Sequence, residues 1–98
     1  MNRPIPKQGQ IYQHFKGGLY KVICIAKHTE TLEVEVVYRC IVPGHNTNFP
    51  DSQKGDCYVR PLEMFMSEVD YEKYPQYKGE EPKYRMTLLF SRNYLLER

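Results

Sequence analysis

The stretch AKHTETLEVEVVYR, residues 26–39, decides the fold. It holds the end of one strand, a polar bend and a strand that returns. Leu32, Val34, Val36, Tyr38 and Cys40 alternate with Glu33, Glu35, Val37 and Arg39. That period of two marks a half-buried strand. Upstream, LYKVICIAKH at 19–28 is long and rich in β-branched residues. Tyr20, Val22, Cys24, Ala26 and His28 share one face, and Leu19, Lys21, Ile23, Ile25 and Lys27 share the other. Two lysines break the second face, so the first is the expected core. Pairing His28 with Leu32 sets Ala26 opposite Val34, Cys24 opposite Val36 and Tyr20 opposite Cys40. The inward residues of both strands then share one side of a hairpin. His28 is the polar residue at its end, a rim position.

Working outward, QIYQHF reads as a short strand and KGG at 16–18 as a turn. Residues 1–8 contain two prolines among polar neighbours and read as a leader. Residues 43–56 are a long loop by their Pro, Gly, Asn and Asp content. In CYVRPLEMF, Val59 is expected to point inward, with Tyr58 and Arg60 on the opposite side. Pro61 ends the ladder by removing a donor, and one helical turn returns Leu62 and Phe65 to the core. MSEV is a further short strand, DYEKYPQYKGEEPK a second polar loop and YRMTLLF a closing strand. Ser91 can cap a short helix in the tail, 91–98, where strand is the competing reading. The expected fold is all-β: a small, strongly bent antiparallel barrel over residues 9–90 with one helical turn. A sheet followed by a helix, in an α+β arrangement, is the rival.

The 98 residues suit one domain. At that size folding buries roughly two-thirds of the chain's surface, enough for one small core. No run approaches the roughly 20 apolar residues that span a bilayer, and MNRPIPKQGQ has no apolar segment resembling a secretory signal. A cytoplasmic protein is expected. Lys and Arg number 14 against 12 Asp and Glu, a formal charge of +2. The lysines at 7, 16, 21 and 27 are spread out, and Glu30, Glu33 and Glu35 lie among later bases. That pattern disfavours a generic nucleic-acid coat. Cys24, Cys40 and Cys57 make an odd set with no CxxC, which fits a reducing compartment and neither a disulfide scaffold nor a metal site. No cofactor is expected, since GxGxxG and GxxxxGK[ST] are both missing.

Three blocks carry a family resemblance: GQIYQHFKGGLYKVICIAKHTETLEVEVVYR at 9–39, YVRPLEMF at 58–65, and more loosely VDYEKYP with KYRM. In this order they resemble a small, mainly bacterial family catalogued as domain of unknown function 1653. The resemblance implies an SH3-like barrel and no established activity. This chain departs from the family pattern in two places. Tyr58 stands where relatives usually carry Trp, and the loop before it is much longer.

The residues that fit a core poorly and recur in those blocks are Tyr12, His14, His28, Thr29, Glu30, Arg60 and Glu63. Tyr58 joins them as an aromatic that can stack on a ligand. Arg60 offers a planar fork of donors suited to carboxylate or phosphate, and its bland alternative is a salt bridge to Glu63 or Glu30. Thr29 and Glu30 can simply build the bend, and His28 can serve a backbone group there. The expected site is one contiguous rim patch joining His28, Thr29 and Glu30 to Arg60, with Glu63 close. No motif pairs a cysteine with a base, so an enzyme is not expected. The expected function is a binding module for a polar or anionic ligand, a nucleotide or nucleic-acid segment among them. The alternative is a protein-interaction adaptor, favoured by nine tyrosines.

Overall fold

The computed structural model describes residues 3–44, 53–77 and 82–90. Five strands form one antiparallel sheet: β1 (Ile11–His14), β2 (Leu19–Lys27), β3 (Val34–Val42), β4 (Cys57–Pro61) and β5 (Met86–Phe90). Their order across the sheet is β4-β3-β2-β1-β5. A single helical turn, α1 (Leu62–Phe65), follows β4 directly, and a 3-10 turn spans Pro75–Tyr77. MSEV contributes one isolated bridge, Glu68 to Tyr84. The protein is mostly β, and among the described residues backbone pairing does not join β4 to β5 into a closed barrel. The tail, 91–98, lies outside the described residues, as does the loop from 45 to 52.

The core forms where α1 packs against the sheet's buried face. Val22, Val36, Phe65 and Met86 are fully buried, together with Tyr12, Tyr38, Leu62 and Met66. Pro61 makes this geometry by ending the ladder, so that Leu62 and Phe65 turn inward one helical turn later. The β1–β2 turn relies on Gly17 and Gly18, whose φ angles of 94° and 89° suit glycine. A Cβ on Gly18 would also lie 3.0 Å from the Gly44 nitrogen, so a side chain is excluded there twice over.

The hairpin register matches the sequence reading at one end and departs from it at the other. Tyr20 pairs with Cys40 and Val22 with Tyr38, but a β-bulge between Val22 and Cys24 then shifts the pairing by one residue. Cys24 faces Val37, Ile25 faces Val36, and Ala26 faces Glu35. A one-residue shift turns every later side chain over. Cys24 is consequently exposed and not in the core. The expected inward placement of Ala26 and His28 is lost with it. VICIA offers apolar residues to both faces, so alternation alone could not locate the bulge. Val59 is likewise corrected: it is 58% exposed, while Tyr58 and Arg60 turn inward. Val59 pairs with outward Val37, and Tyr58 with buried Tyr38.

Residues of the segment before β1 contact the domain. Pro6 is fully buried. Arg3 donates to the Met66 and Met86 carbonyls at 2.9 and 2.7 Å, and its guanidinium lies 3.8 Å over the Tyr84 ring.

Candidate functional site

His14 ends β1, where it pairs with Met86 of β5. Its Nδ1 accepts the Lys16 backbone N–H at 3.1 Å, which leaves the proton of the neutral ring on Nε2. The ring stacks on Phe15 at 4.7 Å and meets Tyr20 edge-on at 6.3 Å. Burial, then the charges of Arg60, Arg85 and Lys16, lower its pKa to about 3. Three cations therefore converge on an imidazole that stays uncharged.

Arg60 enters from β4, opposite Val36. Its Nη1 is buried and has no hydrogen-bond partner among the described residues. Glu63 and Glu30 are both exposed and do not supply one. Leaving a charged donor buried and unbonded costs more than the roughly 1–3 kcal/mol typical of a neutral group. Around it, Tyr38 and Tyr58 approach to 5.8 Å, Tyr20 and Tyr58 to 6.2 Å, and Tyr20 and Tyr38 to 5.5 Å. The Tyr58 hydroxyl lies 3.4 Å from Asp56 Oδ2. Burial raises the Tyr38 pKa, against the opposing charge of Arg60.

A second group of cations adjoins His14. Phe15 meets Tyr74 at 5.2 Å, and Lys16 Nζ sits 4.7 Å from the Tyr74 ring centre. The Arg85 guanidinium lies 5.8 Å from Phe15, and its Nε is 3.4 Å from the Ser67 hydroxyl. At Tyr74 burial would raise the pKa, but Lys73, a hydrogen bond with Arg85, and Lys16 outweigh it and lower it.

Of the eight residues expected to form a site, the structure gathers His14, Tyr58 and Arg60. Tyr12 is a core residue, 2% exposed, packed on Phe65 at 5.1 Å, with its hydroxyl donating to Gln10 Oε1. Glu63 is exposed on α1. His28, Thr29 and Glu30 are exposed at the hairpin tip. His28 Nδ1 accepts the N–H groups of Glu30 and Thr31 at 3.2 and 3.3 Å, so the ring folds back on its own loop. The register beyond the bulge puts Ile25 and Lys27 on the side of Val36 and Val34, and His28 follows the opposite parity. Arg60 and His28 thus take opposite faces, and the contiguous rim patch does not form. His28 is a turn histidine.

Sequence reading missed Arg85, Lys16, Tyr20 and Tyr38 as neighbours of His14 and Arg60. KYRM and HFKG were visible as blocks, but only the pairing of β1 with β5 brings Arg85 beside His14. Among the described residues, no three His, Cys, Asp or Glu side chains come together in a way that could hold a metal. No described helix is long and apolar enough to cross a membrane.

A family model described as "Protein of unknown function (DUF1653)" matches residues 10–87. The crystal structure of a DUF1653 protein from Bordetella bronchiseptica is similar, with a TM-score of 0.60 and 26% identity. That match covers 86% of this chain and 87% of the other. No curated protein matches. With the family model spanning most of the chain and a solved relative sharing its fold, the chain belongs to the DUF1653 family.

Proposed function

We propose that this chain is a small, non-enzymatic binding module that takes an anionic ligand between Arg60 and His14. The observation that carries the reading is the buried Arg60 Nη1 with no partner among the described residues. An incoming oxyanion satisfies that donor through a charge-assisted bond, and nearby Tyr58 offers a ring to an aromatic part of the ligand. Among the described residues, Cys40 is buried opposite Tyr20 and Cys24 and Cys57 are exposed, so the reading gives no thiol a nucleophilic role beside His14. The module would act in the cytoplasm, in keeping with its odd set of thiols.

A native mass spectrum of the purified protein, followed by calorimetry with the retained anion, tests this. Arg60→Ala should weaken binding by about 1.5–3 kcal/mol, the usual worth of a bond to a charged group. His28→Ala should leave affinity unchanged. Equal affinity of the Arg60→Ala and wild-type proteins would remove the site.

The second reading is a protein-interaction adaptor, favoured by a row of outward residues across three strands. Cys24, Val37 and Val59 pair side by side on the outer face, and Val59 is 58% exposed. Val59→Lys should abolish partner capture under this reading and leave anion binding intact.

A further inference from the structure

We infer that the anion is a phosphate monoester in its dianionic form, bound by Arg60 with His14 as a neutral N–H donor. The inference rests on the binding-module reading and names the ligand class of the same site. Three features of the cluster argue for it. Arg60, Arg85 and Lys16 all act on one imidazole, each lowering its pKa, and among the described residues no carboxylate acts on His14. A single carboxylate brings one negative charge to that field, whereas a phosphate monoester above its second ionisation brings two. Arg60 presents a planar fork with a buried, unbonded Nη1, which suits several acceptor oxygens on one centre.

The tautomer of His14 adds a second constraint. Because Nδ1 is occupied by the Lys16 backbone N–H, the neutral ring can offer a ligand only a donor, from Nε2. A protonated ligand oxygen would meet donors on both sides. A dianion, whose oxygens only accept, meets none of that conflict. Among the described residues, the titratable groups that act on or pack against His14 are Arg60, Arg85, Lys16 and Tyr20. His14 itself stays uncharged from about pH 5 upward, so pH dependence above that point belongs to the ligand.

Calorimetry of the full chain with adenosine monophosphate, ribose 5-phosphate and benzoate at about pH 5 and about pH 7.5 decides the matter. Both phosphate esters should bind about tenfold more tightly at the higher pH, the factor by which the dianionic fraction grows when the second ionisation lies near 6. Benzoate should bind weakly with no such rise. Arg60→Ala should weaken both esters at least tenfold, and Arg60→Lys less. Comparable affinity of the two esters assigns recognition to the phosphate group, and a preference for the adenosine ester adds the ring; either outcome supports the inference. Arg60-dependent binding of benzoate with no binding of the esters overturns the phosphate assignment and leaves the module reading standing. Ester affinity that rises as pH falls would mean that an imidazolium does the binding, and also overturns it. Loss of the Arg60 dependence for every anion defeats both.

Discussion

At His14, burial and the charges of Arg60, Arg85 and Lys16 all disfavour the imidazolium. The folded ring takes a proton only near pH 3, whereas the unfolded ring takes one near its ordinary 6.5. Between those values the unfolded chain binds a proton that the folded chain refuses. Stability is therefore complete above about pH 6.5 and falls as pH drops towards 3, by at most roughly 1.4 kcal/mol per pH unit. Urea unfolding from about pH 4.5 to 7 should give a flatter stability curve for His14→Gln than for the wild type. Parallel curves would show that His14 is not held neutral. Leu32 is a second case in which one residue bears a cost. It adopts φ 61° at the hairpin tip, a left-handed conformation that disfavours a side-chain-bearing residue by roughly 1–2 kcal/mol. It is also 66% exposed and contributes little to the core. Leu32→Gly should raise stability by about 0.5–1 kcal/mol, a gain of several degrees in Tm for a domain this small. A lower Tm would mean that the Leu32 side chain contributes packing that outweighs the strain.

At the scale of elements, the bulge in β2 governs which side chains meet. Before it, Tyr20 and Val22 line up with Cys40 and Tyr38; after it, Cys24 is carried to the outer face beside Val37. β4 joins the same frame through Tyr58 opposite Tyr38 and Val59 opposite Val37. Substituting aspartate on each side of this sheet separates the faces directly. Val36→Asp buries a carboxylate at a fully buried position and should abolish the cooperative unfolding transition. Val59→Asp, at an exposed position, should cost no more than about 1 kcal/mol. Equal damage from both would place Val59 in an interface or a core.

For the whole molecule, the N-terminal segment and the last described strand matter as much as the central hairpin. Arg3 joins the end of α1 to β5 by bonding the Met66 and Met86 carbonyls, residues 63 and 83 positions away in sequence. It also holds the Tyr84 ring. Arg3→Ala should destabilise the fold by about 1–3 kcal/mol through the loss of these charged bonds and the ring contact. Chemical denaturation checks this, and an unchanged midpoint would show that the segment hangs free. β5 has a further role, because its pairing with β1 sets Arg85 next to His14. The cationic cluster is therefore assembled from β1, β4 and the residue leading into β5, which are remote in the chain.

The sequence by itself determined the all-β class, the central hairpin, the turn at KGG, the arrest of β4 at Pro61 and the helical turn after it. These follow from local rules: alternation, glycine at positive φ, and the missing donor of proline. It also singled out His14, Tyr58 and Arg60, because charged and aromatic residues in a strand-rich chain stand out by type. Tertiary structure alone decided which face Cys24, Val59 and Arg60 take. A run such as VICIA satisfies either face, and the bulge that chooses between them depends on how β2 fits β3 and β1. Tertiary structure also separated His28 from Arg60 and brought in Arg85 and Lys16, since convergence of charges is a property of strand order and cannot be read from spacing along the chain.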